Sequence, residues 1–331
     1  MRTLASTPFD FPTIASADID SVATVASAIR AVDKGMRTIS SGKTWQRQVL
    51  STGEGELLIM PAVSQSLFGV KLVSVAPDDA AAMTPRIQGV YALFDQETHG
   101  IVAVYNASNL TAIRTAAFSG WVTQQVSPPA ARRLLVFGTG PQARAHVEAM
   151  RAVRPIDEIR IVGRSPGSAA RLVDELAADG IVATVGTPSD SAWAEIICCC
   201  TSSAEPVVFG TELSPGVHIN AVGSHHANRR ELDGATMHRA RVVVETRDSA
   251  LAEAGDVVMA IDEGLMTRDD MDLDLEELSR NVSPEHDPRK DITVYKSVGV
   301  GYQDLLIAEY VASALRQRAG QGNDPATNSH R

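Results

Sequence analysis

The chain has 331 residues, of which 44% are hydrophobic, and its formal net charge at pH 7 is −10. This length predicts two lobes rather than one, and the apolar fraction excludes an extensively disordered chain. The acidic balance argues against nucleic acid or an anionic membrane as a partner, so any cationic site must be a local pocket.

The first part of the chain predicts a mostly antiparallel sheet with helices beside it. Helical periodicity runs from Asp18 to about Gly35. Strand-like stretches bounded by turn residues follow at Glu56–Met60, Phe68–Val75, Gln88–Phe94 and Gly100–Tyr105. Leu110–Gln125 predicts a further helix, which is ended by the prolines at 128 and 129.

After these prolines the pattern changes to alternating strands and helices. The predicted helices are Gln142–Val153 and Ser168–Asp179, and Asp269–Leu278 predicts an acidic, solvent-facing helix. The predicted strands are Leu134–Phe137, Glu158–Val162, Ile181–Val185, Ile196–Cys200, His218–Val222 and Arg241–Glu245. This alternation predicts an α/β fold with a doubly wound parallel sheet.

Nothing in the sequence indicates export, membrane insertion or a metal site. The first twenty residues lack a basic start followed by a long apolar run, and no apolar run reaches the roughly 18 residues of a membrane helix. The three cysteines, Cys198 to Cys200, are adjacent, which fits neither a disulfide framework nor zinc-ligand spacing. We therefore expect no metal and a reducing, cytoplasmic location.

The strongest motif lies between the strand that ends at Phe137 and the helix that begins near Gln142. It reads Gly138-Thr139-Gly140-Pro141-Gln142-Ala143, which is the Gly-x-Gly-x-x-Ala pattern of dinucleotide-binding folds. The first glycine permits a tight turn, the second lets the backbone approach a pyrophosphate, and the alanine allows close packing of helix on sheet. The helix N terminus then offers N–H groups to the phosphates. A dinucleotide site is favoured, with a plain structural turn as the alternative.

Arg164 and Ser165 follow the second strand of this region, where NAD sites usually carry a carboxylate for the ribose 2′-hydroxyl. A guanidinium with its fork of donors and a neighbouring hydroxyl suit a phosphate instead. The sequence therefore favours NADP(H) as the cofactor and leaves NAD(H) open. The alternative for Arg164 is an exposed arginine that leads into the next helix.

From about Arg47 to Asp304, the chain resembles the ornithine cyclodeaminase/mu-crystallin family. The matching stretches, in order, are residues 69–74, 110–119, the loop from Gly138 to Gln142, and residues 215–223, 230–233, 296–299 and 303–304. The resemblance implies a Rossmann domain at residues 128–296. It also implies a second, α+β domain for substrate binding and dimerisation, formed by both chain ends (residues 1–127 with 297–331), and a homodimer.

The resemblance further implies roles for single residues. Arg47, Lys71 and Arg114 would hold the substrate carboxylate, which fits the chemistry of three cations in an acidic protein, although each could instead be a surface charge. Val298 would contact the substrate. Besides the loop from Gly138 to Gln142 and the pair Arg164 and Ser165, the cofactor would be lined by Arg114, Thr115, Thr201, Gly223, Ser297 and Gly299.

The chain departs from the family's cyclodeaminases at His225. Those enzymes place an acid/base aspartate two residues after the glycine that matches Gly223. A histidine can still carry a proton near neutral pH, so His225 is the candidate catalytic residue, with a polar loop residue as the alternative. Arg86 stands where relatives often carry threonine, and whether it contacts a ligand stays open.

These features favour an imine reductase of the family. The expected reaction is NADPH-dependent reduction of a small cyclic imino acid, Δ1-pyrroline-2-carboxylate or Δ1-piperideine-2-carboxylate, to L-proline or L-pipecolate. The alternatives are an ornithine cyclodeaminase, an alanine-type amino-acid dehydrogenase and a mu-crystallin-like, NADPH-dependent binder of a small ligand. The sequence leaves open the ring size, the direction and pathway, and the proton donor.

Overall fold

The computed structural model describes residues 11–37, 45–77, 85, 87–280 and 287–321. The strands are β1 (Thr13–Ile14), β2 (Gln48–Thr52), β3 (Gly55–Val63), β4 (Leu67–Val75), β5 (Ile87–Asp95), β6 (Ile101–Asn106), β7 (Arg133–Phe137), β8 (Glu158–Val162), β9 (Thr184–Val185), β10 (Ile196–Cys199), β11 (His218–Ala221), β12 (Ala240–Val244), β13 (Leu273–Asp274) and β14 (Ile292–Lys296). The helices are α1 (Ser16–Val22), α2 (Val25–Met36), α3 (Ala107–Val126), α4 (Pro141–Val153), α5 (Pro166–Ala178), α6 (Gly234–Arg239), α7 (Arg247–Glu253), α8 (Gly255–Asp262), α9 (Leu275–Ser279) and α10 (Gly301–Gln321).

These elements form two compact units, each discontinuous in sequence. The first comprises the described parts of Met1–Thr24, Gly42–Thr111 and Gly301–Arg331, and the second those of Val25–Ser41 and Ala112–Val300. The units differ from the predicted domains because residues 25–37, 112–127 and 297–300 group with the parallel sheet. The predicted functional boundaries, 1–127 with 297–331 and 128–296, stay a prediction.

The helix α2 groups with the second unit because it packs against α4 and α9, and it also contacts α3. A Cβ placed on Gly120 would lie 2.6 Å from Ile29 Cδ1, so α2 and α3 approach closely at that glycine. Trp121 Nε1 also donates a hydrogen bond to Asp33 Oδ1 at 3.2 Å. The predicted single helix from Asp18 to Gly35 is therefore wrong: α1 ends at Val22, and α2 begins at Val25 as a separate helix of the second unit.

The first unit is built on a six-stranded sheet in the order β1-β6-β5-β4-β3-β2. Its pairings are antiparallel except for that of β1 with β6. One row of aligned residues, Met60, Lys71, Tyr91 and Tyr105, crosses four strands on the buried face of the sheet. The helix α10 packs against this sheet, and Tyr105 Oη donates to Ala308 O at 2.9 Å.

The second unit is built on an eight-stranded parallel sheet in the order β13-β12-β14-β11-β10-β7-β8-β9. The three central strands β10, β11 and β14 are buried along their whole length. From β7 the chain moves outward to β8 and β9, and then returns to the other side of β7 at β10. The strand order reverses between β7 and β10, and ligands of open α/β sheets bind at such switch points. The predicted α/β fold with a doubly wound sheet is confirmed.

The predicted acidic helix Asp269–Leu278 is wrong. The segment contains a 3-10 turn at Arg268–Asp270, the short strand β13 and the five-residue helix α9. Asp272 Oδ2 accepts a hydrogen bond from Val242 N at 2.7 Å, and Asp274 Oδ1 accepts one from Glu277 N at 2.9 Å as the N-cap of α9. These aspartates bind backbone N–H groups rather than forming a solvated helix face.

Candidate functional site

Gly138 lies at the end of β7 in a conformation and a space that only glycine fits. Its φ is +116°, and an added Cβ would lie 2.4 Å from the carbonyl oxygen of Cys200. Its N–H donates to Val162 O at 2.8 Å. The glycine is therefore required where the ends of β7, β8 and β10 meet.

Gly140 is the N-cap of α4, and the protein itself does not require glycine there. Its φ is −93°, and no atom of the described residues lies within 4 Å of an added Cβ. Pro141 occupies the first helical position, as its fixed φ favours. The backbone at the positive end of this 13-residue helix thus stays accessible, which fits a pyrophosphate group.

His146 fixes α4 against α3. Its Nδ1 lies 2.8 Å from the carbonyl oxygen of Gln142 and its Nε2 2.9 Å from Ser119 Oγ. Because a carbonyl oxygen only accepts, Nδ1 is the protonated nitrogen, and Nε2 accepts from the serine hydroxyl. Burial lowers the pKa of His146 to about 4, which keeps the ring neutral.

Arg164 and Ser165 lie between the end of β8 and the start of α5, and both are exposed. Ser165 is the N-cap of α5, where its Oγ accepts a hydrogen bond from Ser168 N at 3.3 Å. No carboxylate of the described residues forms an ion pair with Arg164. A Cβ on Gly163 would lie 2.9 Å from Thr139 Cγ2, so this segment adjoins the loop at Gly138.

A buried carboxylate, Glu231, joins the ends of β10 and β11. Its Oε1 accepts hydrogen bonds from the backbone N–H (2.7 Å) and Oγ1 (2.8 Å) of Thr201. Its Oε2 accepts from the N–H groups of Gly223 (2.7 Å) and Ser224 (3.3 Å). A Cβ on Gly223 would lie 2.0 Å from Thr201 O, which explains the glycine without any ligand. Burial raises the pKa of Glu231, and the Lys296 ammonium opposes that rise.

Lys296, the last residue of β14, connects this carboxylate to a second one. Its Nζ lies 2.7 Å from Asp256 Oδ2, and both side chains are fully buried. The same Nζ donates to Ser224 O at 2.7 Å. Asp256 Oδ1 accepts from the N–H groups of Glu231 and Leu232, both at 2.8 Å. We call Glu231, Asp256 and Lys296 the buried charge cluster.

A third carboxylate, Glu245, holds the turn that follows β14. It accepts hydrogen bonds from Ser297 Oγ (2.7 Å), Val298 N (2.9 Å) and Gly299 N (2.9 Å). Gly299 has φ +85°, and an added Cβ would lie 2.7 Å from Nη2 of Arg114, so this arginine lies against the turn. Val298 is 7% exposed and belongs to the hydrophobic core of the sheet, which leaves little of its side chain for a substrate.

Two hydroxyl groups predicted to contact the cofactor are used inside the protein. Thr201 Oγ1 donates to Glu231 and accepts from Ser203 N at 3.1 Å, and Ser297 Oγ donates to Glu245. Neither hydroxyl hydrogen is therefore available to donate to a cofactor. Thr115 is buried on α3, one residue after Arg114.

His225 follows Ser224 in the loop after β11 and is half-buried. Its ring centroid lies 4.5 Å from that of His226, with the ring planes at 36°. The loop from Gly223 to Arg229 is anchored by the buried charge cluster and by a hydrogen bond from Ser224 Oγ to Arg229 O. The second unit thus brings His225 and Gly223 together with Thr201.

The first unit contains Lys71 and Arg47. Lys71 Nζ forms a buried ion pair with Asp304 of α10, at 3.0 and 2.8 Å from its two oxygens, and donates to Thr111 Oγ1 at 3.4 Å. Arg47 precedes β2 and is half-buried. Arg86, whose role the sequence leaves open, lies outside the described residues.

Sequence reasoning missed the buried charge cluster, the Asp304 carboxylate that pairs with Lys71, and the Glu245 carboxylate that holds the turn after β14. Asp304, Glu231 and Lys296 all stand in stretches that match the family, and this was the available signal. Asp256 and Glu245 stand outside those stretches. Within the described residues, no group of three or more His, Cys, Asp or Glu side chains could hold a metal ion, and no helix could span a membrane.

Comparison with known proteins places this geometry in a family. Residues 13–319 match the model of the ornithine cyclodeaminase/mu-crystallin family. A Δ1-pyrroline-2-carboxylate reductase of Bacillus cereus is 34% identical over 267 residues, which are 79% of this chain and 82% of that protein. Ketimine reductase mu-crystallin of Mus musculus is 32% identical over 259 residues, 78% of this chain and 80% of that protein.

A solved structure extends the likeness to the fold. Thermococcus litoralis Δ1-pyrroline-2-carboxylate reductase, solved in complex with NADH and L-proline, superposes with a TM-score of 0.88 at 25% identity. The superposition covers 93% of this chain and 98% of that one. With its parallel sheet, its glycine loop and a family match over nearly its whole length, this chain belongs to the ornithine cyclodeaminase/mu-crystallin family.

Proposed function

We propose that the chain is an NADPH-dependent reductase of cyclic imino acids, acting on Δ1-pyrroline-2-carboxylate, Δ1-piperideine-2-carboxylate or both. The observation that carries the proposal is the match to Δ1-pyrroline-2-carboxylate reductases over about four-fifths of the chain. The position of His225, where the cyclodeaminases have an aspartate, supports a reductase over a cyclodeaminase. The product would be L-proline or L-pipecolate.

The second unit offers the features that a nicotinamide dinucleotide needs. The accessible backbone at Gly140 and the N terminus of α4 suit the pyrophosphate. The exposed guanidinium of Arg164, beside the start of α5, suits a 2′-phosphate and supports NADPH over NADH. When bound, the reduced nicotinamide would supply the hydride.

Two buried cations are the proposed ligands of the substrate carboxylate. In the first unit, Asp304 fixes the ammonium group of Lys71, so the lysine loses little side-chain entropy on binding. In the second unit, Arg114 lies against the turn at Gly299. Arg47, half-buried before β2, is the third proposed ligand.

His225 is the proposed proton carrier. The imine nitrogen must be protonated for its carbon to accept a hydride, and an imidazole titrates in the neutral range where such a transfer is useful. The anchored loop after β11 holds the backbone next to this ring. His225→Ala should lower kcat by roughly 10²-fold, the lower end for a positioned acid–base group.

The activity test is NADPH oxidation against a panel of substrates. The panel contains the two cyclic imino acids, pyruvate with ammonia, and ornithine. We expect turnover with at least one cyclic imino acid at a kcat/KM well above that for pyruvate with ammonia. Ornithine deamination in the absence of imine reduction would refute the proposal, and binding of NADPH without turnover of any of them would favour a ligand-binding protein.

The cofactor preference has its own test, because the Thermococcus relative was solved with NADH. Arg164→Asp should weaken NADPH binding by about 1.5–3 kcal/mol, the worth of a charge-assisted hydrogen bond, and should leave NADH binding nearly unchanged. Arg171→Asp, a second exposed arginine on α5, is the matched control and should change neither affinity. Equal affinities of the unaltered protein for NADPH and NADH would overturn the assignment.

We also propose a homodimer that covers the outer face of the six-stranded sheet. On the face opposite the buried row, Ile59, Leu72 and Val90 align across three strands, and none of them is buried. An open apolar sheet face of this kind marks an interaction surface. Val90→Glu should shift the protein from dimer to monomer in light scattering. The proposal would be contradicted if light scattering showed the unaltered protein to be a fully active monomer of 35.2 kDa.

The cytoplasmic location stays a prediction. The cysteines Cys198, Cys199 and Cys200 are all free, which fits a reducing compartment.

A further inference from the structure

We propose that Glu231 and Lys296 are positioning residues that set the place of the His225 ring, an inference that rests on the proposed proton-carrying role of His225. Neither residue is assigned to substrate or cofactor. They act on the residue before His225, which they hold from both sides of its peptide backbone.

All three polar atoms of Ser224 are fixed. Its N–H donates to Glu231 Oε2 at 3.3 Å, and its carbonyl oxygen accepts from Lys296 Nζ at 2.7 Å. Its hydroxyl donates to Arg229 O, which closes the loop from the far side. Since this carbonyl belongs to the peptide group that joins Ser224 to His225, the start of the His225 backbone has almost no freedom to move.

Glu231 can do this only as a carboxylate. Its two oxygens together accept from four donors, two at Thr201 and one each at Gly223 and Ser224. A glutamine has one acceptor oxygen and one NH2 group, and in either orientation the NH2 would face at least one backbone N–H, that of Thr201 or those of Gly223 and Ser224. Glu231→Gln therefore changes little in shape but removes the acceptor from either the β10 side or the β11 side of the cluster.

Lys296 provides the positive charge that a buried pair of carboxylates requires. It contacts Asp256 at 2.7 Å, and Asp256 in turn accepts the N–H groups of Glu231 and Leu232. The backbone of Glu231 is thereby fixed by the same cluster that its side chain serves. The cluster is a rigid support, and catalytic groups need placement within about 0.5 Å.

The test is a double-mutant cycle that combines Glu231→Gln with His225→Ala. If Glu231 acts by placing His225, Glu231→Gln should lower kcat by about 10- to 100-fold when the histidine is present. In the His225→Ala background, the same change should lower kcat by less than about threefold, because no ring is left to place. Glu231 also holds Thr201 and Gly223, which are proposed to line the cofactor, so any change in the NADPH dissociation constant should be the same with and without His225.

Glu245→Gln is the matched control. Glu245 is an equally buried carboxylate that holds the turn at Ser297–Gly299 instead of the His225 loop. Its effect on kcat should be the same with and without His225. If the effect of Glu245→Gln on kcat depended on His225 as strongly as that of Glu231→Gln, both variants would only be disturbing the fold in general. That result would overturn the inference.

Each failure has its own signature. A wild-type kcat for His225→Ala would refute the proton-carrying role, and the inference with it. A low kcat for His225→Ala together with an unreduced effect of Glu231→Gln in that background would leave the role intact and overturn the positioning by Glu231. If Glu231→Gln does not fold, the double variant Lys296→Met/Asp256→Asn takes its place, since it removes the donor to Ser224 O and leaves the net charge of the buried charge cluster unchanged. Its loss of kcat must vanish without His225 for the inference to stand.

Discussion

Replacing Lys71 by methionine would leave the Asp304 carboxylate buried without its cation. The Nζ lies 2.8 and 3.0 Å from the two carboxylate oxygens, and the lysine and aspartate side chains are 3% and 0% exposed. Removing one partner of a buried ion pair costs about 3–5 kcal/mol, because the other charge stays desolvated. Since domains are commonly stable by about 5–15 kcal/mol, Lys71→Met should lower the midpoint of urea unfolding strongly.

The double variant Lys71→Met/Asp304→Asn separates this cost from the loss of packing. With both charges removed, no uncompensated charge stays in the core, so most of the lost free energy of unfolding should return. The matched control is Arg37→Met. Arg37 and Asp33 form a pair at 3.1 Å, but their side chains are 69% and 40% exposed, and such a surface pair is worth about 0–1 kcal/mol.

The measurement is urea unfolding followed by tryptophan fluorescence, with the free energy of unfolding taken from each curve. The reasoning would be refuted if Lys71→Met lost no more free energy of unfolding than Arg37→Met. It would also be refuted if the double variant were less stable than Lys71→Met. The result also bears on catalysis. From the proposed role of Lys71 alone, Lys71→Met should weaken substrate binding in a fully folded protein. Because loss of the ion pair also destabilises the fold, the measured rates of this variant must be corrected for the fraction of protein that is folded.

Two further predictions follow from buried or confined groups. The free energy of unfolding should fall by about 3 kcal/mol as the pH drops from about 6.5 to about 4. In this range His146 becomes protonated in the unfolded state but stays neutral in the folded state, where its pKa is about 4. In urea titrations at each pH, His146→Gln should remove most of this pH dependence. Gly140→Ala should weaken NADPH binding without lowering stability, since the added Cβ would contact no atom of the described residues. Gly138→Ala should instead destabilise the protein by more than about 1 kcal/mol, because φ at this position is +116° and the added Cβ would lie 2.4 Å from Cys200 O. Equal thermal unfolding of the two alanine variants would contradict the second prediction.

The second unit was largely predictable because its strands are short apolar runs and its first βα turn has a specific motif. Besides the wrong helix at Asp269–Leu278, one clear exception is β14, a central strand that the sequence did not predict. Its sequence is Ile-Thr-Val-Tyr-Lys, in which polar side chains interrupt the apolar ones, whereas a strand buried on both faces is usually a continuous apolar run. In the structure, Thr293 Oγ1 lies 2.8 Å from Nδ1 of buried His218 on the neighbouring strand. When the hydrogen-bond partner of a polar side chain lies on another strand, the sequence of its own strand does not show that the side chain is buried.

The same limit applies to the candidate site. The glycine loop and Arg164 are local features and can be read from a few adjacent residues. The partners of the predicted cations are distant in the chain: Lys71 and Asp304 are 233 positions apart. Lys296 ends β14, Asp256 lies in the first turn of α8, and Glu231 lies between β11 and α6, so the three groups meet only in the folded unit. Charge and spacing in the sequence could not show that these groups neutralise one another.

The packing of α10 on the six-stranded sheet has a consequence for synthesis of the protein. Strands β2 to β6 leave the ribosome early, yet the helix that covers Met60, Tyr91 and Tyr105 begins only at Gly301, whose missing Cβ lets it approach Pro61 O. At about 5–20 residues per second, the ribosome needs roughly 10–40 s to make residues 107–300. During that time the nascent chain presents an uncovered apolar sheet face, which makes it a client for chaperones and sensitive to any stop codon before the last helix.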